Sequence, residues 1–315
     1  MNPNKEILLR KLLLLPIVFL SVCLMYAPSS AADSIRFGVP PWPGVTVKTE
    51  VATQILNALG YETVQLEVGP PIIYKGFTTD EIDAYLAAWL PAQIEMYTPV
   101  LEEGGFEALV TNLDDALIGV AVPTYVYDAG VTTMADLDAH ADAFNHTIYS
   151  IEVGSGMHTS TESLITNDVA GLGDWTQNSS TTPVMLSVVQ EMIADHEWVV
   201  FHAWKPHWMT IQIDMKFLEG VPGTENLITE SRVETLVSAD FAEKYPQAYA
   251  FLKNFIVSSE MQSLWIQKYG FEEIPPETVA HDWIAANPDV VEGWLEGVTT
   301  VSGEPAMDAI RAAFQ

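Results

Sequence analysis

Three tryptophans of this chain stand in matching local settings. Trp42 follows the apolar run IRFGV and precedes Pro43, Trp89 lies two residues before Pro91 in IDAYLAAWLP, and Trp204 lies two residues before Pro206 in FHAWKPHWMT. Proline fixes the backbone beside each ring and cannot continue a central strand, so each indole is predicted at a loop mouth on a stiff support. Three such rings from separate segments can make a box. The chemistry a box suits is capture of a quaternary ammonium, a bulky cation with no ordinary hydrogen bond to donate; each ring offers ~0.5–2 kcal/mol of cation–π attraction. Taken singly, any of the nine tryptophans is a core residue first, and it is the repeated placement that favours the box.

A second pole is suggested by IEVGSGMHTSTESL, residues 151–164. Gly154 and Gly156 after a strand, then serines and threonines opening a helix, expose backbone N–H groups able to hold an anion without any basic residue. The other reading is an ordinary capped strand-to-helix turn, and the spacing is not that of a dinucleotide or P-loop signature. His202 and His207 flank Trp204 but fall on opposite faces of an extended segment, with no carboxylate or cysteine beside them, so no metal site is expected. No nucleophile elbow, paired-carboxylate signature or zincin motif occurs, no cofactor is implied, and the chain is read as a binding protein rather than an enzyme.

These residues need elements to hold them. IRFGV reads as a strand, VKTEVATQILNALGY as a helix stopped by Gly60, TVQLEVG as a strand, the stretch around Tyr74 and Lys75 as a helix, IDAYLAAWLP as a buried strand and 93–103 as a helix. A second series starts at ALIGVAVP: MADLDAHADAF as a helix, HTIYSIEVGSGMH as a strand and glycine turn, TESLITNDV and PVMLSVVQEMIAD as helices, WVVFHAWKP as a strand. Such alternation predicts α/β lobes with mostly parallel sheets flanked by helices, followed by a helical tail. The expected domains are 33–117 plus 231–315 as one lobe and 118–230 as the other, joined by two crossing strands in a clamshell. All three tryptophans then fall outside the carboxyl ends of strands, where ligands of such sheets bind.

At 315 residues and 49% hydrophobic, the chain can bury two ordinary cores. Residues 1–32 read as a cleaved signal peptide: Lys5, Arg10 and Lys11, an apolar middle interrupted by Pro16, and the small-residue site SSAA. The one cysteine, Cys23, follows Val22 rather than a small residue, so a free exported protein is expected rather than a lipoprotein, and the mature part contains no disulfide. Cleavage removes three cations and one anion and takes the net charge from −29 to −31. Such a surface repels nucleic acid and anionic lipid and excludes both as partners.

GVPPWPGVTVKTEVATQILNALGY, IDAYLAAWLP, IEVGSGM and VVFHAWKPHWM, in this order, resemble the substrate-binding proteins of ABC importers for glycine betaine, proline betaine and choline, and the likeness runs through the tail WIAANPDVVEGWLEGV. The resemblance implies a type II periplasmic-binding-protein clamshell, monomeric, which closes over a quaternary ammonium solute and delivers it to a permease driven by an ATPase. It implies that Trp42, Trp89 and Trp204 surround the trimethylammonium group and that the amides of Gly156 and Met157 receive the carboxylate. The sequence departs from the family pattern at two places. A histidine that betaine-binding relatives carry after the second cage tryptophan is replaced here by Gln93 and Ile94, so the charged contribution to the carboxylate pole is missing or is replaced by Gln93 or His207. The acid and hinge tyrosine of choline-binding relatives are Gly44 and Ile118 here. The expected ligand is glycine betaine or proline betaine; choline or dimethylsulfoniopropionate capture, ligand sensing for a receptor, and an exported hydrolase are the alternatives.

Overall fold

The structure is a computed structural model that describes residues 34–314; the predicted signal peptide and Cys23 lie outside the described residues. β1 (Ile35–Val39) is buried at every position except Arg36. The helix Pro43–Ala58 follows, with Trp42 extended at its N-cap and Pro43 at the first helical position, where the missing N–H costs nothing. Val47, Val51, Ile55 and Leu59 recur every fourth residue and form its buried stripe. The helix stops where Gly60 predicts. Gly60 takes φ +97°, and the N–H groups of Gly60 and Tyr61 close on the carbonyls of Asn57 and Leu56, a left-handed exit that glycine adopts without strain.

The remaining strands are β2 (Thr63–Glu67), β3 (Ala84–Leu90), β4 (Phe106–Pro123), β5 (Thr147–Ser150), β6 (Thr176–Ser179), β7 (Val200–Lys205), β8 (Met215–Phe217) and β9 (Thr229–Ser238). They lie in the order β2-β1-β3-β9-β4-β7-β5-β6, with β8 on β4. β1 is parallel to β2 and β3, and β5 is parallel to β6 and β7. Between these parallel sets run β4 and β9, antiparallel to one another from Phe106↔Ser238 to Ile118↔Thr229. The sheet is therefore parallel in its outer strands and antiparallel at its centre, because the chain crosses between lobes twice in opposite directions. Three register shifts along β4 and β9 mark the crossing, where extra residues bend and twist a strand.

Apolar side chains segregate on either side of the crossing strands. One core holds Phe37, Ile55, Tyr85, Leu113, Val233 and Trp265; the other holds Val120, Ile148, Leu186, Phe201 and Trp204. Each large side chain withdrawn from water in this way contributes about 1.5–3 kcal/mol. Ala92, just after β3, and Ile266, of the helix Ser259–Gly270, belong to the second core, and Trp89 packs on both cores.

Local differences from the sequence reading have local causes. MADLDAHADAF forms two short pieces, Asp136–Ala139 and a 3-10 turn Ala141–Phe144, rather than one helix. The Asp136 carboxylate accepts the N–H groups of Thr132 and Thr133 at 3.0 and 2.7 Å, starting the helix late, and Asn145 and His146 turn out of it at φ 52° and 49°. Among the described residues no helix is long and apolar enough to cross a membrane.

Candidate functional site

The carboxyl ends of β1, β3, β5 and β7 meet at one cavity between the lobes, and Trp42, Trp89 and Trp204 all line it. Its volume is about 50 Å³. At ~10–15 Å³ per water, that holds roughly four waters, the scale of one small solute and not of a polymer.

Each indole is held differently. Trp42 caps its helix and donates from Nε1 to the Glu152 carboxylate across the cleft. Trp89 and Trp204 are the penultimate residues of β3 and β7, in register with Val233 of β9 and Ile118 of β4. They are thus strand residues and not the loop-mouth residues predicted, because the crossing strands continue past them and keep the ladder going. Trp204 is further wedged by the His207 ring, edge-on at 4.9 Å.

Gly156 and Met157 open the helix Gly156–Thr166 and line the same cavity. Ser155 caps that helix, its Oγ accepting from the His158 N–H at 3.2 Å and its carbonyl from Thr159 at 3.0 Å. The N–H groups of Gly156 and Met157 have no hydrogen-bond partner among the described residues, so a pair of donors at the positive end of a helix is left free on residues that line the cavity. Glycine at 156 is dictated by contact across the cleft, since a Cβ there would stand 2.4 Å from the Ala92 carbonyl oxygen.

The two residues named as stand-ins for a missing histidine are otherwise engaged. Gln93 borders the cavity, but its Nε2 donates to Tyr85 Oη and the Ala87 carbonyl, both at 3.2 Å, and its Oε1 accepts from Tyr74 at 3.0 Å. No donor remains for a solute. His207 stands behind Trp204 and does not line the cavity; its Nδ1 accepts from the Met209 N–H at 3.2 Å. Burial lowers its pKa to about 3, so the ring is neutral. His202 is likewise buried and neutral, bridging the Ile151 N–H and the Thr161 hydroxyl. Among the described residues no cluster of histidine, cysteine and carboxylate side chains could hold a metal.

Three side chains at the site escaped the sequence reading. Lys48, one turn beyond Gly44, is buried in the cavity wall and donates to Asn112 Oδ1 at 2.7 Å. Desolvation lowers its pKa to about 7. Gln262 lines the cavity with a buried Oε1 that has no partner, and its Nε2 occupies the space a Cβ on Gly44 would need, at 2.8 Å. Glu152 takes the Trp42 indole with one oxygen, while the other is buried and unpartnered; desolvation raises its pKa and the indole N–H partly opposes that. Lys48 could have been found from its period: it shares the buried helix face with Val45, Ala52 and Ile55.

Two α/β lobes, two crossing strands and a solute-sized cavity between them define the class of two-lobed solute-binding proteins with the type II periplasmic-binding fold. Residues 33–286 match the family described as the substrate binding domain of ABC-type glycine betaine transport systems, and the chain belongs to that family. It is 32% identical over 176 residues to the glycine betaine/carnitine transport binding protein GbuC of Listeria monocytogenes, covering 55% of this chain and 58% of that one. It is 42% identical over 127 residues, 40% of this chain, to 82% of protein ORF1 of Chromohalobacter salexigens. Among solved structures, an ABC-transporter choline binding protein in complex with choline superposes with TM-score 0.86 at 28% identity, over 90% of this chain and 99% of that one. A glycine betaine/L-proline-binding protein from Borrelia burgdorferi gives TM-score 0.79 at 25% identity, over 88% and 100%.

Proposed function

We propose that the chain is the extracytoplasmic receptor of an ABC importer and binds a zwitterionic quaternary ammonium solute of the glycine betaine or proline betaine type. One observation carries the reading: three tryptophans and two unpartnered helix-end N–H groups line a single small cavity. In this reading Trp42, Trp89 and Trp204 face the methylated ammonium, and Gly156 and Met157 take the carboxylate. Three rings contribute a few kcal/mol at ~0.5–2 kcal/mol each, and lobe closure supplies the remainder by bringing both poles onto one solute. The lobes divide between Leu117 and Ile118 and between Glu230 and Ser231, next to the pair Leu117↔Glu230 of the crossing strands. The protein works as a monomer in the periplasm after removal of residues 1–32, and a permease with its ATPase reads the closed state.

A choline receptor of the same fold is the second reading, favoured by the likeness to the choline-bound structure. Titration calorimetry with glycine betaine, proline betaine, carnitine, choline and dimethylsulfoniopropionate tests both. Glycine betaine or proline betaine is expected to bind tightest, and the reading fails if none of the five binds.

A further inference from the structure

The cavity walls contain one ionisable side chain, and it is a base. Lys48 lies there nearly inaccessible to water, and its Nζ meets only neutral oxygens, Asn112 Oδ1 at 2.7 Å and the Leu86 carbonyl at 3.4 Å. Elsewhere in the same lobe a cation is matched by acids: Arg36 pairs with Asp83 at 2.7 Å and with Asp80 at 3.1 Å. A lysine kept only to tie a helix to a strand is a costly choice without such a partner, because burying an unpaired ammonium is strongly unfavourable.

The walls also lack an acid. Gly44, one helical turn before Lys48, has no side chain, and the Gln262 amide fills the space beside it. The nearby carboxylate of Glu152 is not part of the wall: one oxygen takes the Trp42 indole and the other is buried without a partner. A permanent cation entering this space would meet π faces and a basic group in the wall itself, with the nearest carboxylate, Glu152, outside the wall and bonded to the Trp42 indole. A zwitterion brings its own anion.

Building on the proposed tryptophan cage, we propose that Lys48 is the specificity-determining residue of the cavity, admitting solutes that carry a carboxylate with their quaternary ammonium and rejecting those that are cations only. Charges in a poorly hydrated site interact over several ångströms, so direct contact between Nζ and the carboxylate is not required. Burial lowers the Lys48 pKa to about 7, so a bound anion favours its charged form and a bound cation its neutral form; the second change costs little at neutral pH, and the preference rests chiefly on attraction of the solute's anion. A lysine serving only as an anchor between the helix and Asn112 would affect stability and the affinities of all solutes alike.

The test is calorimetry with glycine betaine and with choline on the wild type, Lys48→Met and Lys48→Gln, with thermal melts to identify which variant folds. The wild type is expected to prefer glycine betaine at least tenfold, and either folded variant to lose at least tenfold of that preference, through weaker betaine binding, stronger choline binding or both. A preference unchanged within threefold overturns the assignment while leaving the cage intact, as does a wild type that favours choline. A wild type that binds neither of these nor any of the other three solutes overturns the cage and the lysine assignment together, and one that binds neither of these but does bind one of the other three overturns the lysine assignment alone.

Discussion

The two lobes are built to one plan and furnish the cavity by different means. Each has three parallel strands, and each places a tryptophan one residue from the end of the strand that abuts the crossing pair: Trp89 on β3 beside β9, Trp204 on β7 beside β4. Beyond that shared aromatic the lobes diverge. The first adds the polar side chains of Lys48 and Gln262 and a further indole, Trp42; the second adds the unpartnered helix-end N–H groups of Gly156 and Met157. The difference teaches that a symmetric scaffold can bind an asymmetric solute when the rigid aromatic walls are common to both halves and the polar groups are not. The second lobe buries two neutral histidines, His202 and His207, where the first buries Lys48.

The largest expected effect follows from those histidines. Both have folded-state pKa values of about 3, below the ordinary 6.5, so the unfolded chain takes up protons first as pH falls. Their stabilisation is complete above pH 6.5 and is lost progressively between 6.5 and 3, on the order of several kcal/mol. Hydrogen exchange at pH 4.5 should show the amides of β5 and β7 opening before those of β1 and β3. Simultaneous opening, or the first lobe opening earlier, would break the contrast between the lobes.

Next in size is Gly156→Ala. The helix tolerates alanine locally, but the new Cβ meets the Ala92 carbonyl across the cleft at 2.4 Å, so the variant should fold, remain open and bind its solute more weakly by about 3 kcal/mol. Small-angle scattering with and without solute checks closure. A variant that closes and binds normally would show that the lobes have slack at this contact.

The smallest effect sharpens the symmetry itself. Trp89→Ala and Trp204→Ala should each cost ~1–3 kcal/mol of affinity, with circular dichroism unchanged, and the two costs should agree within about 1 kcal/mol. A large disparity in calorimetry would mean that one ring binds and the other only packs.

Much of this was legible in the sequence because it is local. A buried strand, an aromatic and a proline within a few residues announce Trp42, Trp89 and Trp204, and the glycines at 154 and 156 announce a turn into a helix. The polar side of the cavity was not legible, because Lys48, Glu152 and Gln262 come together only when distant segments pack. Gln93 and His207 sit at suggestive spacings, yet their hydrogen bonds face the interior, a direction that spacing does not encode. The short strands β6 and β8 escaped for another reason. β6 (TQNS) lies at the sheet edge with no buried position, and β8 pairs only with β4, so neither carries an apolar alternation to read.

The hydrogen bond from Trp42 to Glu152 makes one wall of the cavity conditional. Donor and acceptor belong to different lobes, so the indole is anchored at its nitrogen only while the cleft is shut. On the proposed function, an arriving solute would meet this ring as a movable panel and a departing one would first have to undo the fastening, so the contact is expected to lengthen residence time.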